Sequence, residues 1–303
     1  MRVNKLEKSI TTVNLSYHKR PSTVWTVLLA LWGRSTCYDH DQPKPLITAT
    51  RNNIEIDKDH LEEFSKICEI RRGTTLPLMY PFTMIYPLLQ RILAHKQAPF
   101  SMFRVLNSRI QVFQRRPIQL DSKLNITCCL ERHRIREKGL EIEIVCTIDS
   151  AGEALWANTQ TFFYKGKFGP PDGNYNPPSF NPIPDAEKVA KWYLPASNRM
   201  RFAYLSGDGN AIHYLKPYAR LYGFKRDFAQ PIMVLARAVE QLLEGRSAKK
   251  TVKLDLILKG QFYYKKMITL KASQIREHTR FDIYCEGNPL PCFYGALQEG
   301  DDL

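Results

Sequence analysis

The stretch Pro231-Ile-Met-Val-Leu-Ala-Arg-Ala-Val-Glu-Gln-Leu-Leu-Glu-Gly245 (PIMVLARAVEQLLEG) decides the fold. Proline suits the first position of a helix, where its missing N–H costs nothing, and glycine suits the position just past the end. Between them Ile232, Met233, Val234, Leu235, Ala236, Ala238, Val239, Leu242 and Leu243 cover most faces, and only Arg237, Glu240, Gln241 and Glu244 form a polar stripe. A helix apolar on most sides is central and buried. The segments that follow, TVKLDLILKGQFYY, KMITLKAS, RFDIYCEG and PCFYGAL, are short, apolar or alternating, and separated by turn residues. They read as antiparallel strands. One buried helix followed by about four antiparallel strands describes a sheet wrapped around a helix, an α+β architecture.

The scheme occurs twice. Upstream, Leu76-Pro77 opens the apolar stretch LPLMYPFTMIYPLLQRIL, and RVLNSRIQVF, LNITCCLE, LEIEIVCTI and ALWANTQTFFY follow it. QVFQRRPIQL from Gln111 and QFYYKKMITL from Gln261 lie 150 residues apart, and each joins a strand end, two cations and a second strand. Helix, strand, basic pair and strand in the same order point to a duplicated domain. Residues 168–184, rich in Pro, Gly and Asn and without period, separate the copies as a linker or an ordered long loop. The expected organisation is an N-terminal extension over 1–50, a first half over 51–167, the linker over 168–184 and a second half over 185–303.

The 303 residues carry a formal charge of +14, which favours an anionic partner. The basic residues are dispersed rather than gathered in one block, which speaks against a nucleic-acid footprint. The seven cysteines contain no Cys-x-x-Cys, four fall in apolar strand-like runs, and no ligand spacing for a metal is present. Free cysteines used as small hydrophobes suit a reducing cytoplasm. The apolar run TVWTVLLALW after Lys19-Arg20 is far short of the roughly 20 residues of a bilayer span. It reads as an amphipathic segment packed on the domain, with a membrane-surface anchor as the lesser alternative.

The richest chemistry lies in YLSGDGNAIH, Tyr204 to His213. Gly207 and Gly209 flank Asp208 and permit a tight turn that brings its carboxylate and the His213 imidazole to one small volume, a pairing suited to general acid–base work. In the first half, Asp57, Asp59 and His60 sit where a helix starts, so Asp there reads as a capping residue. Arg115-Arg116 and Lys265-Lys266 read as solvated strand ends or as phosphate contacts, and Phe262, Tyr263 and Tyr264 as sheet packing.

SGDGNAIH, followed by YARLYGF from Tyr218 and by the buried helix, resembles the MaoC-like, (R)-specific enoyl-CoA hydratase family, whose motif is Ser-Gly-Asp-any-Asn-Pro-any-His. Five of the six fixed positions match, and Ala211 stands in place of the Pro. The resemblance spans roughly residues 50–300. It implies a double hot dog, two antiparallel sheets each wrapped around a central helix, with the motif retained in the second half and the first half forming a wall of the acyl pocket. It implies Asp208 and His213 as the catalytic dyad, with Asn210 and Gly207 shaping the turn. The implied reaction is reversible hydration of a trans-2-enoyl thioester to the (3R)-3-hydroxyacyl thioester. No cofactor is implied, since the substrate rides on coenzyme A or on the phosphopantetheine of an acyl-carrier protein. Partners are then acyl-CoA or acyl-carrier protein, with no nucleic acid, no stable membrane insertion and a homodimer left open. The family carries His-Gly at the helix start, where this chain has Gln230-Pro231. Pro has no N–H to offer a developing oxyanion. The Gln230 side-chain amide or the N–H of Ile232 is the substitute. Two readings on the same scaffold stay open, a non-catalytic acyl-thioester-binding protein and a thioesterase.

Overall fold

The computed structural model describes residues 11–32, 38–39, 44–173, 175–245 and 251–300. In chain order, β1 (Thr12–Tyr17), α1 (Thr23–Trp32), β2 (Leu46–Ile54) and α2 (Lys58–Cys68) lead to α3 (Phe82–Leu93). Then come β3 (Val105–Gln114), β4 (Leu124–Arg136), β5 (Gly139–Ser150) and β6 (Glu153–Lys165). The second half begins with β7 (Glu187–Leu194), α4 (Arg199–Ser206), α5 (Lys216–Leu221) and α6 (Pro231–Leu243). It ends with β8 (Thr251–Leu258), β9 (Lys266–Ile275), β10 (His278–Cys285) and β11 (Phe293–Gly300).

Strand order shows the duplication. From its outer edge the first half runs β2-β4-β5-β6-β3, and from the opposite edge the second runs β7-β9-β10-β11-β8. Position for position these are the same sheet. The two join where β3 pairs antiparallel with β8, from Arg109↔Ile257 to Gln114↔Val252. The expected two sheets are thus continuous across one seam. Pairing two edge strands satisfies backbone groups that each half alone would expose. The Arg109 guanidinium reinforces the seam with two bonds to Asp255, at 2.8 and 2.6 Å. The outermost strand β1 pairs with β2 in parallel, so the N-terminal extension contributes to the sheet, and β2 itself begins before residue 50.

The helix of the opening stretch forms as its residues dictate. Pro231 is its first residue, Gly245 takes φ +78° beyond its end, and Ile232, Val234, Leu235, Ala238 and Val239 are buried. Its counterpart α3 begins at Phe82, after Pro81, rather than at Pro77, because residues 77–80 close a separate turn through Tyr80 N–H to Pro77 O. The strand read through TVKLDLILKGQFYY stops at Leu258, since the N–H groups of both Lys259 and Gly260 turn onto Cys292 O. Asp57 caps α2, accepting from the N–H groups of Asp59 and His60, as its place in the sequence predicts.

The described residues of 168–184 carry no helix or strand, yet they are tied down. Asp172 accepts from Ile135 N–H at 2.7 Å, Arg134 lies over the Tyr175 ring, Arg280 lies over Phe180, and Asp282 accepts from Ile183 N–H. This segment is an ordered loop laid on the sheet. The described cysteines are unpaired, and all but Cys129 are buried. Among the described residues no helix is long and apolar enough to cross a membrane.

Candidate active site

The turn after α4 holds Asp208. Gly207 ends α4 in the left-handed region at φ +75°, a conformation that favours glycine. A Cβ there would also fall 2.8 Å from Pro87 Cγ, so α3 of the first half packs directly against the turn. Asn210 then caps a short 3-10 turn, Ala211–His213, accepting from Ile212 N–H at 3.3 Å.

Side chains from several elements hold this turn by its carbonyls. Arg20 donates to Leu205 O at 2.6 Å and Thr23 to Gly207 O at 3.1 Å, both from the N-terminal segment. The Gln230 amide donates to Asp208 O at 3.1 Å, and Tyr214 donates to Gly209 O at 3.0 Å. His60, from α2, places Nε2 2.9 Å from Leu205 O and Nδ1 3.0 Å from the Tyr80 hydroxyl. Arg20 Nη1, which can only donate, lies 3.2 Å from the same Nε2, and burial lowers the His60 pKa.

The turn leaves the Asp208 and His213 side chains facing each other, Oδ2 to Nε2 at 3.6 Å. That is too long for a direct hydrogen bond and suits two groups addressing a shared third atom. His213 Nδ1 lies 3.0 Å from Phe228 O. A carbonyl only accepts, so Nδ1 carries the proton and Nε2 presents a lone pair when the ring is neutral. Burial pushes the His213 pKa below the ordinary value, opposed by the Asp208 charge and by the Phe228 bond. The neutral, base-ready form therefore prevails near neutral pH. Asp208 Oδ1 accepts from Asn210 N–H and from the Gln90 amide, each at 3.1 Å.

Both residues line a cavity of about 480 Å³. The second half contributes Asn210, Phe228, Pro231 and Phe262, and the first contributes Tyr86, Leu89, Gln90 and Leu93. Those four first-half residues recur at helical spacing, so one face of α3 forms the wall. Tyr175, Pro177 and Pro178 bring the interdomain loop into the lining as well. The lining is mostly apolar with a few convergent polar groups, the character of a small-molecule pocket.

The candidates from sequence separate here. Asp208, His213 and Asn210 converge on the cavity. Gly207 and Gln230 stand behind it. Gln230 is 3 % exposed, and its amide spans Ser206 Oγ at 2.9 Å and Asp208 O. It braces the turn, which corrects the expectation of a substitute oxyanion donor. Ile232 is buried at the second position of α6, where helix geometry leaves N–H groups without an intrahelical acceptor. Arg115-Arg116 and Lys265-Lys266 do not line the cavity, and Arg116 is paired with Glu153. The exposed cation in the lining is Lys259. Phe262 and Tyr264 are core, and Tyr263 bridges to Phe228. Sequence reasoning passed over Gln90. Its signal was a lone amide on the apolar face of FTMIYPLLQRIL, where a buried polar group needs a reason.

No protein-family model matches the chain. Among curated proteins, 3-hydroxyacyl-thioester dehydratase X of Mycobacterium tuberculosis is 25% identical over 228 residues, 75% of this chain and 80% of that one. The crystal structure of HtdX of the same organism matches with a TM-score of 0.72 at 17% identity, over 84% of this chain and 100% of the other. A MaoC-like dehydratase from Phytophthora capsici matches at 0.69 and 15%, over 88% and 97%. The duplicated strand order, the buried helix in each half and these likenesses agree: the chain has the double hot-dog fold of the MaoC-like dehydratases.

Proposed function

We propose that this protein is a 3-hydroxyacyl-thioester dehydratase, acting reversibly as an (R)-specific enoyl-thioester hydratase, with Asp208 and His213 as its catalytic pair. The observation that carries the reading is the facing of Asp208 Oδ2 and His213 Nε2 across 3.6 Å in the wall of a largely apolar cavity. In hydration, water held between the two oxygen- and nitrogen-lone-pair acceptors adds through oxygen to the β-carbon. One proton of that water passes to the pair, and a proton is delivered to the α-carbon. Dehydration runs the same steps backwards. The two groups act as one unit, since coupled sites share their protons. The name of the M. tuberculosis relative supports the substrate class.

The thioester oxygen gains negative charge as the α-carbon becomes enolate-like. The start of α6 borders the cavity through Pro231, and the next N–H, that of Ile232, with the helix dipole, is the donor on offer. Lys259 suits a phosphate of coenzyme A or of phosphopantetheine. No cofactor enters this scheme. Unpaired, buried cysteines favour the cytoplasm as the site of action.

Loss of the conjugated enoyl absorbance of a 2-enoyl-CoA series tests the reading. Wild type should turn over, and Asp208→Asn should lose about 10²-fold or more. Wild type as inactive as Asp208→Asn across chain lengths refutes it for CoA substrates. Pro231 favours one other reading, an acyl-binding protein without chemistry, which predicts tight acyl-CoA binding without turnover. A thiol-reactive dye reports any thioesterase activity in the same samples.

A further inference from the structure

Resting on that reading, we propose that Gln90, from the half that lacks the motif, is the positioning residue of the site: it sets the rotation of the Asp208 carboxylate, so that the dyad is completed across the two halves. The side chain is 5 % exposed and lies on a helix face otherwise made of Tyr86, Leu89 and Leu93. Its Nε2 is 3.1 Å from Asp208 Oδ1. A carboxylate oxygen accepts, so the amide nitrogen must face it, and Oε1 points elsewhere. That Oε1 is buried with no hydrogen-bond partner. An unpaired buried acceptor is costly, and an apolar residue of the same shape would avoid the cost. The amide is kept for its donor.

The geometry shows what the donor does. The terminal torsion of an aspartate is broad, so the torsion alone does not hold the plane of the carboxylate, and a two-fold flip only exchanges equivalent oxygens. Asn210 N–H reaches Oδ1 from within the turn, and Gln90 reaches the same oxygen from α3. Two donors of different origin on one oxygen fix the carboxylate plane and leave Oδ2 for His213 Nε2. Pro87, one turn before on the same helix, rests against Gly207, so α3 sets both the backbone and the side chain of the turn. Sequence spacing hides this link because 118 residues separate the partners.

Gln90→Met retains the length and helix preference and removes the donor. In the full chain it should lower kcat about 10- to 100-fold, the worth of a hydrogen bond to a charged group, with KM within about threefold. Its crystal structure, set beside that of the wild type, should show the Asp208 carboxylate turned, with neither oxygen within about 4 Å of His213 Nε2. Gln90→Leu replaces it should the methionine variant fail to fold. A merely structural amide would lower thermal stability and leave kcat and the carboxylate alone. Full kcat in Gln90→Met with loss in Asp208→Asn overturns the inference and leaves the hydratase reading standing. An inactive wild type refutes the hydratase reading instead, and the carboxylate orientation then decides the inference by itself. A carboxylate that stays put overturns it.

Discussion

Gly209→Ala should damage this protein through a residue nearly 190 positions away, and the damage should be repairable there. The φ of Gly209 lies outside the left-handed region, so alanine meets no backbone penalty and the whole cost is steric. An added Cβ would overlap Thr23 Cγ2 of α1 and sit 3.4 Å from Val27 Cγ2. The threonine cannot swing its methyl aside freely, because its hydroxyl holds Gly207 O at 3.1 Å. Either α1 lifts or the turn moves. Overpacking of this kind costs about 1–3 kcal/mol, which lowers Tm by roughly 2–5 °C in a chain of this size. A turn displaced by about 1 Å misplaces Asp208, the preceding residue, and should cost on the order of 10²-fold in enoyl-thioester turnover. Thr23→Ser deletes the offending methyl and keeps the hydroxyl. The double variant Gly209→Ala/Thr23→Ser should therefore regain most of both losses, a coupling of about 0.5–3 kcal/mol. Calorimetry and the enoyl absorbance assay on wild type, both singles and the double complete the cycle. A double variant no better than Gly209→Ala, or a Gly209→Ala protein with wild-type Tm and activity, refutes the seating of α1 on the turn.

Two further expectations concern the supports of the site. Arg20→Met fills the stem volume but removes the donor on Leu205 O, and should cost about 1.5–3 kcal/mol in thermal unfolding, the worth of a charge-assisted bond. An unchanged Tm would show that the N-terminal segment does not brace the turn. Burial, with a smaller contribution from Lys44, lowers the His133 pKa to about 4. Its folded value lies below its unfolded value, so the unfolded chain binds the extra proton. The stability concerned is present above about pH 6.5 and is lost as pH falls towards 4, by about 3 kcal/mol. The Tm of His133→Gln should fall less steeply over that window than that of wild type, and parallel curves would refute the assignment.

Much of the architecture was legible because it is local. Pro231 and Gly245 bracket α6, its apolar coverage announces burial, and Asp57 caps α2 where capping chemistry demands. The same holds for Asp208 and His213: a glycine turn and five residues of chain are enough to bring them near one another. Two edges of the reading failed, one for a distant cause and one for a local one. The strand at TVKLDLIL ends where Lys259 and Gly260 share Cys292 O, a partner more than thirty residues on. Helix α3 starts late because the Pro77–Tyr80 turn intervenes.

What the amino-acid order determined by itself was the repeated unit, the buried helices and the nearness of Asp208 and His213 in their glycine turn, all set by interactions spanning a few residues. What only the tertiary structure decided was the role of everything distant from that pair. The β3–β8 seam merges two sheets into one, since each edge needs a partner for its backbone groups. Gln230, which sequence offered as an oxyanion donor, turns inward to brace Ser206 and Asp208. Arg20, Thr23 and Gln90 reach the turn from segments with no motif of their own. A hydrogen bond depends on proximity in space and direction, and neither is written in sequence separation.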